Sequence, residues 1–157
     1  GNFIRNRLTT LAVTHAETGN FAATYNLTLT GGSINFENNI TFITPETLGV
    51  VNQPFAAVTG TRNIGGSFTC YLGNHTAGSA DLFEDLIEST TSITNDFNLV
   101  FTVGGATAPK IAITLPTCHL EVPTHSIEDV ISLETTFHAL PSTINGADEA
   151  SIVYTGA

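Results

Sequence analysis

The stretch that most constrains the fold is Ser126–Leu140, SIEDVISLETTFHAL. Side chains on a β-strand alternate between faces. Read as a strand, it puts Ile127, Ile131, Leu133, Phe137 and Ala139 on one face, with Thr135 as the polar exception. Glu128, Ser132, Glu134, Thr136 and His138 fall on the other, interrupted by Val130. Ser33–Thr44 repeats the design, with Ile34, Phe36, Ile40 and Phe42 inward and Asn35, Glu37, Asn39 and Thr41 outward. Such a pattern demands a half-buried strand with one wet, acidic and hydroxylated side. Typical strands have five or six residues, so two this long suit a barrel wall or a sheet continued by other subunits.

The rest of the chain supplies partners for these strands. Tyr25–Thr30 alternates, and Gly31-Gly32 predicts a hairpin turn into Ser33–Thr44. Val58–Leu72 reads as a strand bent or bulged at Gly65-Gly66. The GGS of residues 31–33 recurs at 65–67, which we read as two similar bends. Ile93–Val103 and Lys110–Val122 are further strands, and Pro116 argues for an edge or a break in the second. A short last strand covers Ala150–Thr155. Ser79–Ser89 is the one good helix. Ser79 is its expected N-cap, its early turns are acidic, and Leu82, Phe83, Leu86 and Ile87 form an apolar stripe. Gly1–Asn20 is either a strand or an arm lying on a neighbour. The expectation is a mostly β fold: an antiparallel β-sandwich or barrel of about seven or eight strands with one flanking α-helix.

Charge excludes one class of function. The chain carries a net charge of −10, and its only Lys and Arg residues are Arg5, Arg7, Arg62 and Lys110. Tight nucleic-acid binding works through Lys and Arg contacts to phosphate, which four scattered cations do not provide. No run of 18 apolar residues exists, so no transmembrane helix and no membrane partner are expected. Cys70 and Cys118 form no CxxC pair; they are either joined in a disulfide or two free buried thiols. Met is absent and residue 1 is Gly. We read the chain as one domain over residues 1–157 with an N-terminal arm over about 1–20, belonging to a longer polypeptide.

No catalytic signature is present: there is no GxSxG, HExxH or GxxxxGK[ST]. Cys118, His119, Glu121 and His125 are ligand-type residues, but neighbours on a strand point to opposite faces, so no metal site is expected. Glu128-Asp129 diverge for the same reason and make no carboxylate dyad. No cofactor is implied. Pro45–Ala57 is irregular yet carries Leu48, Val50, Val51 and Phe55, so it either folds back on its own core or docks on a neighbouring subunit.

Two segments together resemble a known family: ITFITPETLGVVNQPFAAVTGTRNIGGSFTCYL (Ile40–Leu72) and HLEVPTHSIEDVISLETTFHALPSTINGADEASIVYTGA (His119–Ala157). They are similar to the tail tube, or major tail, proteins of siphovirus-like tailed bacteriophages. The resemblance implies a non-enzymatic virion protein of the phage tail. Its partners would be copies of itself in hexameric or pseudo-hexameric rings, stacked rings, and other tail proteins. Long strands of each copy would join into one inner β-barrel that conducts the genome during ejection, with DNA in transit and not bound. By this resemblance Asn35, Glu37, Asn39, Glu128, Ser132, Glu134 and Thr136 face the lumen, and Leu48, Val50, Val51 and Phe55 lie at subunit interfaces. Composition leaves a second reading open, an extracellular β-sandwich adhesin or carbohydrate-binding module, although the chain has no Trp and only three Tyr to build a sugar platform.

Overall fold

The computed structural model describes residues 3–15, 24–43, 56–88, 97–127, 130–144 and 146–156. After a 3-10 turn at Asn6–Leu8 come β1 (Thr10–His15), β2 (Thr24–Asn26), β3 (Leu29–Ile43) and β4 (Ala56–Tyr71). The helix α1 (Ser79–Glu88) follows, then β5 (Phe97–Val103), β6 (Lys110–Leu120), β7 (Thr124–Ser126), β8 (Ser132–Ala139) and β9 (Ser151–Thr155). Every pairing described is antiparallel, in the order β2-β1-β5-β6-β8-β4-β3, with β7 on β8 and β9 on β6.

The sheet folds over at β6. Residues Lys110–Thr114 of its outer edge pair with β9, whereas Cys118–Leu120 pair with β8. Pro116 sits between these partners, where β6 also slips register against β5 between Phe97 and Leu99. Its missing N–H is therefore spent where the ladder is already interrupted. Folding over brings β1 and β5 against β4 and β8 in one core, where the Phe137 ring lies 5.7 Å from Phe101 and 6.3 Å from Phe68. Leu82 and Leu86 of α1 close that core, and Tyr25 Oη donates to Asp85 Oδ2 at 2.6 Å, tying the helix to β2. Of the two readings of the cysteines, the structure gives the free thiols: Cys70 and Cys118 are buried and unbonded.

Several expectations change. Nine strands replace seven or eight among the described residues. Ser126–Leu140 is not one strand: β7 and β8 are separate, paired through Ser126 and Ser132. Gly31-Gly32 is no turn but lies inside β3. The two GGS segments are cross-strand neighbours, Ser33 opposite Ser67 and Ile34 opposite Gly66. Close backbone approach explains Gly32, Gly65 and Gly66, though not Gly31: a Cβ on Gly66 would fall 2.0 Å from the Ser33 carbonyl oxygen. The bulge in β4 lies at Gly60-Thr61, opposite Asn39, and not at Gly65-Gly66. Ser79 is the first helical residue and not the N-cap. Its hydroxyl accepts from Gly73 N–H and donates to the Tyr71 carbonyl, Asp81 accepts from Ala77 N–H in the turn ahead of the helix, and the Gly73 carbonyl accepts from Ala80 N–H in the first helical turn. Of the two readings of the N-terminal region, residues Thr10–His15 are a strand, with Leu11 and Val13 in the core.

The β3–β4 hairpin outruns the core. β8 stops beside it at the Ile64–Ala139 pair, so, among the described residues, 56–63 pair with β3 alone. One brace crosses to this overhang. Arg62 donates through Nε to Glu149 Oε1 at 3.2 Å and through its terminal nitrogen to Glu149 Oε2. Glu149 is buried, and the Arg62 hydrogen bond holds its carboxyl below the usual glutamate value.

Candidate functional site

The outer side of β8, β4 and β3 forms one polar face. Cross-strand register lines its residues up in rows: Glu134–Thr69–Gly31, Thr136–Ser67–Ser33, His138–Gly65–Asn35, and Asn63–Glu37. Adjacent strands lie about 4.8 Å apart, so each three-strand row spans roughly 10 Å. Behind the face stand Ile64, Phe68, Leu133 and Phe137, so each strand is greasy on one side and wet on the other. The rows enclose a shallow groove of about 360 Å³ lined by Ser33, Asn35, Glu37, Asn63, Ser67, Glu134, Thr136 and His138, with Gly65 and Gly66 at its floor. His119 pairs with His138 and carries the face onto β6, and Glu121 lies beside it, its Oε1 3.4 Å from His138 Nε2.

The electrostatics are one-sided. Glu37, Glu134 and Glu121 give the face its fixed charge. The chain's four Lys and Arg residues lie elsewhere. Arg62 projects from the opposite side of β4 to Glu149, Lys110 caps the Ala106 carbonyl at 3.2 Å, Arg5 precedes the N-terminal 3-10 turn and Arg7 lies within it. No group of three His, Cys, Asp or Glu arranged to hold a metal occurs among the described residues. Cys118 is buried and His119 is on the polar side, as alternation requires.

Of the residues expected to face a lumen, Asn35, Glu37, Glu134 and Thr136 come together in the groove. Ser132 stands at its end, paired with Tyr71 and Ser126. Asn39 continues the alternation but sits opposite the bulge, its amide donating to the Thr61 carbonyl at 2.9 Å. Glu128 and the expected interface residues Leu48, Val50, Val51 and Phe55 lie outside the described residues. The contribution of β4, Asn63 and Ser67 above all, was missed. Its signal was the alternation of Asn63, Gly65, Ser67 and Thr69 with Ile64, Phe68 and Cys70, which reading Gly65-Gly66 as a bend concealed.

Comparison with known proteins decides the family. Residues 7–155 match the family model described as phage tail tube protein. The chain belongs to the phage tail tube protein family. It is 32% identical over 152 residues to tail tube protein pb6 of Escherichia phage T5, covering 95% of this chain and 32% of that protein. The chain thus spans about a third of that relative's length. Among solved structures, the SPP1 tail tube superposes with a TM-score of 0.63 at 11% identity, covering 98% of this chain and 81% of that one. The tail of an empty GTA particle, refined with C6 symmetry, gives a TM-score of 0.51 at 10% identity, covering 93% and 96%. These two show the shared fold. Family membership makes the chain a structural protein of the phage tail and not an enzyme. The adhesin or carbohydrate-binding alternative has no support among these relatives.

Proposed function

We propose that copies of this chain assemble into rings, hexameric or pseudo-hexameric, whose polar β8–β4–β3 faces join into the wall of a channel for DNA in transit. The observation that carries the reading is the absence of Lys and Arg from a face that bears Glu37, Glu134 and Glu121. A conduit must not bind its cargo. Binding to phosphate needs cations, and this wall offers carboxylates, hydroxyls and amides. Repulsion between single charges in water is about 1 kcal/mol at 4 Å and fades over a Debye length of about 8 Å at physiological salt. It therefore acts close to the wall, where sticking would occur, and repetition along the tube multiplies it.

Ring closure follows from the edges. β3 ends the sheet, and among the described residues no strand pairs with its outer edge. An open edge of fifteen residues is a template for another strand. A neighbouring copy would occupy it and continue the polar face around the bore. Leu48, Val50, Val51 and Phe55 would add apolar contacts between copies, and other tail proteins would meet the tube at its ends. Helical reconstruction of assembled tubes tests the reading: Glu37 and Glu134 are expected on the bore. Finding both on the outer wall, or finding the purified protein only as monomers, overturns it.

A further inference from the structure

The folded sheet is not filled everywhere. Between β3 and the strands β5 and β6 lies a cavity of about 400 Å³. Its apolar walls are Leu29 and Ile34 of β3, Phe101 and Val103 of β5, and Ile113 of β6. Phe101 belongs to the core, and Leu29, Ile34 and Ile113 pack against it, yet among the described residues no side chain fills the space between them. Gly32 is the reason on the β3 side. It falls between Leu29 and Ile34, and a Cβ there would lie 2.8 Å from the Ser67 carbonyl oxygen, so close pairing with β4 leaves that wall bare. The mouth is polar. The N-terminal 3-10 turn borders it, held by Ile4 and Leu8 on the β5–β6 turn. A Cβ on Gly104 would come 3.2 Å from Ile4 Cγ2, and one on Gly105 would come 3.3 Å from Leu8 Cδ1. Arg7 of the 3-10 turn lines the mouth, beside the hydroxyl-bearing Thr30 and Ser33. Its exposed side chain has no ion pair or hydrogen bond among the described residues, whereas Arg62 is held by Glu149 and Lys110 by the Ala106 carbonyl.

We propose that this cavity binds a small amphiphilic anion, its apolar body between the strands and its single carboxylate or sulfonate on Arg7. The site stands whether or not the copies form a tube. Its size fits, because small-ligand sites run from about 300 to 1,000 Å³ and combine apolar walls with a few placed polar groups. The head is chosen by charge. A guanidinium takes a carboxylate through two parallel N–H bonds, each roughly twice as strong as a neutral one. One guanidinium neutralises one charge, and no second cation lines the mouth. The chain around it carries a net charge of −10, which disfavours any anion left partly unneutralised. A monoanion is therefore admitted where a dianion, or a nucleic acid with a phosphate at every step, is refused. A cation meets no carboxylate among the residues of the cavity. A neutral apolar molecule covers the walls but leaves Arg7 to water, and so forgoes the charge-assisted bonds.

The test is a fluorescence titration of the purified chain with anilinonaphthalene sulfonate, an aromatic body carrying one sulfonate. Competition with decanoate, decanol and decylammonium follows. A single saturable site per chain is expected, emptied by decanoate. Decanol and decylammonium should each need at least about tenfold more, the scale of one charge-assisted hydrogen bond. Arg7→Gln should weaken the probe and decanoate by about the same factor. Arg5→Gln removes an equal charge from a residue that does not line the cavity, and should change binding by roughly twofold or less. Val103→Phe puts a ring into the space and should abolish the displaceable binding. If that variant loses the native circular dichroism spectrum, Ile34→Phe replaces it. No saturable site, or displacement by decanol as readily as by decanoate, overturns the proposal. So does an Arg5→Gln loss equal to that of Arg7→Gln, or a folded ring-filled variant that binds as before. Loss of the probe as protein concentration rises would make a second copy the occupant, and overturns it too.

Discussion

Reversing the charge of the polar face should turn a conduit into a DNA-binding wall. In Glu37→Lys with Glu134→Lys, two carboxylates of the groove become two ammonium groups. The four unit changes leave the chain still acidic, because its net charge starts at −10. Any new DNA binding therefore reports on the two substituted positions and not on a chain turned basic overall. Glu134 and Glu37 lie in different rows of the face, on strands separated by β4. The two sites thus meet different phosphates. Each lysine attracts a phosphate by about 1 kcal/mol at 4 Å and about 0.5 kcal/mol at 8 Å before screening. Two contacts per copy give an apparent salt slope of roughly −0.9 per neutralised phosphate, summed over every copy that DNA touches. Particles carrying the variant should assemble, eject their genome more slowly than the parent at low salt, and recover as salt rises towards 0.5 M, where screening shortens to a few ångströms. The assay is the rate of DNA release from triggered particles across a salt series, with tube length checked by electron microscopy. Unchanged ejection at every salt concentration, with intact tubes, would refute the repulsive wall.

Three further outcomes test the fold beneath that face. Phe137→Ala empties a fully buried site in ring contact with Phe68 and Phe101. It should lower stability by about 3–5 kcal/mol in urea titration, and a loss under 1 kcal/mol would contradict the core described. Arg62→Ala leaves the buried Glu149 carboxylate without its guanidinium, a loss of about 1.5–3 kcal/mol at neutral pH. Because Arg62 lowers the folded-state Glu149 value from the ordinary 4.5, that contribution is whole above pH 4.5 and fades as pH falls through the folded value. The stability gap between parent and variant should close in acid, and a gap independent of pH would show that the ion pair is not its source. Burial raises Cys70 to about 11 and Cys118 to about 12. Neither should react with a thiol reagent at pH 8 until the protein is unfolded, and rapid labelling of the native protein would place them wrongly.

Two-sidedness is what a strand writes into its own residues. Leu133, Thr135 and Phe137 are buried on β8 while Glu134 and His138 are exposed, as alternation alone required. Thr135 broke the apolar pattern and is buried all the same. Register between distant strands is not written locally. Nothing near Ser33 says that Ser67 lies opposite, and the repeated GGS was legible only as punctuation. Val130, the interruption in Ser126–Leu140, was the one local sign that β7 and β8 are separate strands. The burial of Glu149 left no local sign, since its cause is a guanidinium 87 residues away. Yet the acidic face emerged from strands far apart in sequence, and the reason is physical. A slip of one residue would put Phe137 in water and Glu134 in the core. The packing of Phe68, Phe101 and Phe137 therefore selects the register, and the register selects the charge on the other side. Core and wall are one choice made twice over the same alternation. A mutation that repacks the interior without shifting register should leave the face intact, whereas one that moves β8 against β4 should destroy both together.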